Sequence, residues 1–187
     1  MVATPLACPD WIQKQPRDAS IQSKVVTVLV QGSNWSRKNQ AFAIEVFEKL
    51  SEKVQCRLLI TGKRSVGLPN AEVLGYLPND AMSGVYARAD VLLFPSLHEG
   101  FGLPILEGFR TRTLVAASNR GAIPEVAGNG ALLFDHFDAA RWAAEIQSTL
   151  ENQSKLQTLL DEGENREKSF TWEATARKTR EAYDRTR

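Results

Sequence analysis

The stretch FPSLHEGFGLPILEGF, residues 94–109, carries two carboxylates, Glu99 and Glu107, with Gly100 and Gly102 just after the first. Carboxylates accept hydrogen bonds from hydroxyls, and glycines let a ligand approach backbone N–H donors that can hold oxygen atoms. Two acids beside bare amides suit a polyol that also carries phosphate. Pro104 fits the first turn of a helix, where its missing N–H costs nothing. Glu107 is then expected in that first turn, well placed against the helix dipole, with Glu99 in the loop before it. A helix cap plus one surface acid is the plainer account, but Pro95, Gly100, Gly102 and Pro104 together exceed what capping requires.

Two further connections hold candidate chemistry. In QGSNWSRKNQ, residues 31–40, Gly32 permits a sharp turn, and Ser33, Asn34 and Ser36 offer short hydrogen-bonding side chains. Arg37 and Lys38 stand just before a helix start, and cations beside free helical N–H groups suit a diphosphate. An exposed basic turn is the alternative for this piece. ITGKRS, residues 60–65, runs a strand into Gly62, Lys63 and Arg64 and, taken singly, reads as a solvated loop. Paired carboxylates also serve glycoside hydrolysis when their separation in space is right. Sequence spacing does not set that distance, and the basic loops favour a phosphorylated ligand over a neutral glycan.

These loops need a scaffold, and the periodicity from Lys24 onward supplies one. Apolar runs at 25–31, 56–61, 72–77, 90–95, 113–118 and 131–135 predict strands. Amphipathic stretches at 39–53, 79–89, from Pro104, and at 123–127 predict helices, and the chain is helical from Asp138 to a last piece at 171–185. The first helix puts Phe42, Val46, Phe47 and Leu50 on one face, and Asn79 or Asp80 is the expected N-cap of the second. Strands buried on both faces and joined by helices imply a mostly parallel sheet, a doubly wound, Rossmann-like α/β domain with a helical C-terminal tail. Such sheets bind ligands beyond the carboxyl ends of their strands, where all three unusual connections fall. Residues 1–23, with three Pro and no period, read as an interdomain linker preceding a domain at 24–187.

Composition bounds the function. The 187 residues amount to about one domain, and 23 Lys+Arg against 22 Asp+Glu leave a net charge of +1. Nucleic-acid binding is disfavoured, because phosphate affinity needs clustered excess positive charge. Cys8 and Cys56 are too few and too distant for a metal knuckle or a disulfide scaffold, and a reduced, cytoplasmic chain is expected. No apolar run approaches the ~20 residues that cross a bilayer, and no signal-peptide core precedes the domain.

FPSLHEGFGLPILEGF resembles the E-x7-E signature of retaining glycosyltransferases of family 4, in their GT-B C-terminal domain. GSNWSRKN resembles the phosphate-contacting loop, VLGYLPNDAMSGVYARADVLLFPS the segment leading into the signature, ASNRGAIPEVAGNGALLFD the segment after it, and FTWEATARKTREAY the closing Phe-x-Trp helix. Together these cover about residues 25–185 in the family's order. The resemblance implies sugar transfer from a nucleotide-diphosphate donor (UDP-, GDP- or ADP-sugar) to a glycan or lipid-linked acceptor, with retention at the anomeric carbon and no metal or other cofactor. Lys38 then matches the lysine on the diphosphate, with Gly32 and Arg37 in the same loop. Glu99 matches the acid close to the donor sugar. Gly100, Phe101, Gly102 and Leu103 bring amides to sugar hydroxyls and phosphate, Glu107 binds ribose hydroxyls, and Tyr76, beside Gly75, lines the base pocket.

Two positions depart from the family's pattern. Ser33 stands where many members have arginine, leaving Arg37 as the candidate for that charge. Arg112 and Leu114 replace the Gly and Pro of a small-Gly-x-Pro turn. A GT-B enzyme has two Rossmann-like domains, so the resemblance implies a missing N-terminal acceptor domain, through which peripheral membrane association would run, and weak donor binding without efficient transfer by this chain alone. A stand-alone nucleotide-sugar-binding subunit and a GT-B-fold epimerase are the competing readings.

Overall fold

Five consecutive apolar or β-branched residues, Val26–Val30, form β1, buried along its whole length. In the computed structural model, which describes residues 4–14, 25–32, 36–62 and 67–185, five more strands join it: β2 (Cys56–Thr61), β3 (Ala71–Gly75), β4 (Val91–Phe94), β5 (Leu114–Ser118) and β6 (Ala131–Phe134). Every neighbouring pair is parallel, in the order β3-β2-β1-β4-β5-β6. Parallel neighbours require crossovers, supplied by α1 (Gln40–Ser51), α2 (Asn79–Arg88), α3 (Leu103–Arg110) and α4 (Ile123–Ala127), with α5 (Ala139–Glu151), α6 (Gln153–Lys168) and α7 (Trp172–Asp184) completing the chain. The doubly wound α/β architecture expected from the sequence is the one observed.

Strand residues alternate between two cores, as a period of two demands. Val28 and Val30 face one layer with Phe42, Val46, Phe47 and Leu50 of α1 and Trp142 and Ile146 of α5. Leu29, Leu92 and Phe94 face the other, with Tyr86 of α2 and Ile105, Leu106 and Phe109 of α3. Trp142 is fully buried, stacked on Phe134 at 4.2 Å between centroids, and donates its indole N–H to the His136 carbonyl.

Several local expectations change. Pro78, in extended backbone, caps α2, and Asn79 and Asp80 lie inside its first turn. α3 starts at Leu103 and contains no acid in its first turn, so Glu107 sits a turn further in than expected, buried in the helix–sheet interface. Arg112, in place of the family's glycine, takes a left-handed φ of 53°. Its guanidinium is tied to Glu164 (2.7 Å) and Asp161 (2.9 Å) of α6, which offsets the cost of that backbone. The described part of the expected linker is packed: Cys8 and Ile12 are buried against α2 and α3 in the second core. Ser33, Asn34, Lys63 and Arg64 lie outside the described residues. Among the described residues no helix is long and apolar enough to cross a membrane.

Candidate functional site

In a parallel sheet of order β3-β2-β1-β4-β5-β6, the direction in which successive strands are laid down across the sheet reverses between β1 and β4, and the loops leaving those two strands part to open a crevice. The two motif loops leave these same strands. After β1 come Gln31, Gly32 and a 3-10 turn, Ser36–Lys38; after β4 come Glu99, Gly100, Phe101, Gly102 and then α3 with Glu107. The Leu97 N–H donates to the Arg37 carbonyl at 2.8 Å and fixes one loop on the other.

Glu99 is buried and receives both cations of the first loop, Lys38 Nζ on Oε1 at 2.7 Å and Arg37 Nη1 on Oε2 at 2.8 Å. Burial pushes its carboxyl up, but the hydrogen bonds and charge of Lys38, with help from Arg37, outweigh that and hold it below the ordinary range. Lys38 also lies over the Phe94 ring, 4.9 Å from its centroid. From the other side, Gly121, at φ 56°, brings the turn after β5 against Glu99: a β-carbon there would stand 2.9 Å from the Glu99 carbonyl oxygen, which also accepts from the Ala122 N–H at 3.2 Å. Glu99 is thus held at both backbone and carboxylate.

Glu107 behaves oppositely. Tyr86 Oη donates to its Oε2 at 2.8 Å and Gln31 Nε2 to the same oxygen at 3.0 Å. Burial raises its pKa, and these two donors counter the effect without cancelling it. Burial and then the neighbouring Glu107 charge raise the Tyr86 hydroxyl well above its usual value, so it stays a donor. With both donors on Oε2, Oε1 is the acceptor left for a ligand. Gln31 and Tyr86 were not legible as site residues. Gln31 ends an apolar strand with an amide, a weak signal, and Tyr86 reads as an ordinary core aromatic of α2.

Gly102, at φ 104°, caps α3 in a left-handed conformation that favours glycine, and the Leu103 amide opens the first turn, where helical N–H groups lack intrahelical acceptors. Phe101 turns its ring onto Phe170, edge to face at 5.6 Å, so its side chain supports the loop from the α6–α7 junction. Gly32 serves by absence of a side chain rather than by a special turn. Its φ is not positive, and a β-carbon would fall 1.3 Å from Gln40 Nε2 and 2.9 Å from the Thr61 carbonyl.

A cleft of about 280 Å³ collects these residues: Gln31, Gly32, Lys38 and Glu107, together with Tyr76 beyond β3 and Trp11 from the N-terminal segment. The structure therefore brings Gly32, Lys38, Tyr76 and Glu107 to one cleft and attaches Glu99 and Arg37 to it through Lys38. Gly100 and Phe101 line a neighbouring groove instead.

Fold and crevice define a Rossmann-like domain of the GT-B type. The chain belongs to the glycosyl transferases group 1 family, whose profile matches residues 12–166. O-antigen chain mannosyltransferase B of Escherichia coli is 30% identical over 98% of this chain and 54% of its own. Sucrose-phosphate synthase from Thermosynechococcus elongatus superposes with a TM-score of 0.72 at 26% identity, over 86% of this chain and 45% of that one. Anabaena HepE, solved with UDP and glucose, shares the fold with a TM-score of 0.75 at 15% identity, over 99% of this chain and 55% of its own. The chain spans about half the length of these relatives.

Proposed function

We propose that this chain is the donor-binding, C-terminal domain of a retaining GT-B glycosyltransferase of family 4, and that its crevice takes a nucleotide-diphosphate sugar. The observation that supports the reading is the meeting, at the β1/β4 crevice, of two cations and a buried carboxylate, Glu107, whose two donors both fall on one oxygen. In this reading Lys38 and Arg37 meet the diphosphate. They leave Glu99 for the ligand, which frees the Glu99 carboxylate toward the donor sugar. Glu107 Oε1 accepts from ribose hydroxyls while Gln31 and Tyr86 hold Oε2. As the bond from the anomeric carbon to phosphate breaks, negative charge grows on the departing diphosphate, and the two cations are already beside it.

The mannosyltransferase relative makes a nucleotide-linked hexose the first donor to test, and the half-length match supports an acceptor domain on the rest of a longer enzyme. Titration of the chain with UDP-, GDP- and ADP-hexoses tests the site. One of the three binds, and Lys38→Ala and Glu107→Ala each weaken it about tenfold or more, the cost of losing a charged hydrogen-bond partner. Unchanged affinities in both variants would refute the site. Transfer by this chain alone is expected near background, and robust turnover would refute its role as one half of the enzyme.

A further inference from the structure

The contacts behind the Glu99 loop run through residues outside the cleft. The Glu99 carbonyl accepts from the Ala122 N–H at 3.2 Å, and the Ala122 carbonyl accepts in turn from the Val126 N–H at 3.0 Å. Val126 lies near the end of the short helix α4, where the last carbonyls lack intrahelical donors. Arg166 of α6 supplies them. Its Nε donates to the Val126 carbonyl at 3.1 Å, and its Nη2 donates to the Glu125 carbonyl. The same guanidinium lies over the Phe170 ring, 4.9 Å from its centroid. Phe170 meets Phe101 edge to face at 5.6 Å, and Phe101 stands two residues beyond Glu99. The contacts close a circuit: out from the Glu99 carbonyl, along α4 to Arg166, and back through Phe170 to Phe101.

Each link has a local cause. Phe170 follows the end of α6, and its N–H donates to the Glu167 carbonyl at 3.0 Å, so one turn of backbone presents both the ring and the guanidinium. Glu167 is buried and accepts from Arg110 Nε of α3 at 3.0 Å, which ties the end of α6 to the helix that carries Glu107. Arg166 directs two nitrogens at carbonyls and its flat face at a ring, a geometry that the compact ammonium of a lysine does not reproduce. Gly100, Phe101, Arg166 and Phe170 also line one groove of about 460 Å³, so on this side the loop borders open space as well as protein. We infer that Arg166 and Phe170 are positioning residues for the donor-sugar end of the site, fixing the backbone that carries Glu99 and the amides of residues 100–103 while touching no ligand themselves. This inference rests on the proposed nucleotide-sugar reading and adds to it the residues that hold the sugar-facing loop. In that reading Lys38, on a separate loop, and Glu107, inside α3, meet diphosphate and ribose. Disturbing Arg166 or Phe170 therefore acts first on the sugar.

The test is a titration of the chain and its Arg166→Lys, Phe170→Leu, Phe170→Tyr and Glu107→Ala variants with UDP, GDP and ADP and with the corresponding nucleotide hexoses, each below its melting temperature. The quantity read is the Kd of the nucleotide hexose divided by that of its own nucleoside diphosphate. Arg166→Lys and Phe170→Leu should each raise this ratio about fivefold, equivalent to losing one hydrogen bond to the sugar. Phe170→Tyr, which keeps the ring, should stay within about twofold of the parent. A residue that only supports the fold would lower the melting temperature and leave the ratio at the parent's value. An unchanged ratio in either folded variant overturns the role of that residue, and Arg166→Lys carries the test alone if Phe170→Leu does not fold. With Glu107→Ala still weakening both ligands, that outcome leaves the nucleotide site standing. If the parent binds neither ligand, the site reading falls and the inference with it.

Discussion

Glu99 and Glu107 are the same residue type in one motif, yet their surroundings drive them in opposite directions, and stability should report it. Glu99 is held below the ordinary carboxyl range because Lys38 and Arg37 outweigh its burial. A depressed folded pKa gives stability that is present above the unfolded value, about 4.3, and lost as pH falls through the folded one. Glu107 is raised by burial, so its contribution is largest below the unfolded value and is lost as pH rises through the folded one. Glu99→Gln should therefore lower the melting temperature at pH 7 by about 2–4 °C, for about 1 kcal/mol in a domain of this size, and the deficit should fade on acidification. Glu107→Gln, which still accepts from Tyr86 and Gln31, should match or exceed the parent's melting temperature at pH 7 while binding nucleotide sugar less well. Thermal melts from pH 4 to 8 would contradict this if both variants shifted the same way at neutral pH. The two acids and their glycines were legible because loops seldom need such residues. The donors that set their chemistry were not: Gln31 lies 76 residues from Glu107 and Tyr86 lies 21 away, and only the fold brings them together.

Gly163 of α6 lets the Phe109 ring of α3 and the Gly130 backbone, just before β6, approach the helix closely. A β-carbon on Gly163 would stand 2.6 Å from Phe109 Cδ1, and one on Gly130 would stand 2.5 Å from the Gly163 Cα. Gly163→Ala should destabilise the domain by about 1–3 kcal/mol, the range for overpacking a tight core. Gly84, in mid-helix α2, has open space where a β-carbon would go, so Gly84→Ala should stabilise by about 0.5–1 kcal/mol. Denaturant titration separates the two, and a neutral Gly163→Ala would show that α6 packs more loosely than these distances imply. The elements themselves were legible. Continuous apolar strands alternating with amphipathic helices leave little choice but a parallel, doubly wound sheet, and every predicted strand is observed within two residues at either end. What failed were details set by contact rather than pattern. Pro78 takes the cap expected of Asn79 or Asp80, α3 begins before Pro104 and buries Glu107, and Gly32 is there for the space that Gln40 and Thr61 leave, not for a turn.

The molecule as a whole is near neutral, at +1, with its two motif cations already paired to Glu99 across the β1/β4 crevice. On the proposed reading a diphosphate would enter by exchange, trading one set of oxygens on Lys38 for another. The N-terminal segment was the part least legible. Its prolines and lack of period read as linker, whereas Ala7, Cys8 and Ile12 supply buried apolar contacts too sparse for any periodic signal. Its placement beside the cleft is what extends the site beyond the motifs. The most direct measurement is a crystal structure of this chain with the nucleoside diphosphate it binds best. The expected result has phosphate oxygens on Lys38 Nζ in place of the Glu99 carboxylate and ribose hydroxyls on Glu107 Oε1. A ligand bound elsewhere, with the Lys38–Glu99 pair intact at its present 2.7 Å, would contradict the proposed donor site.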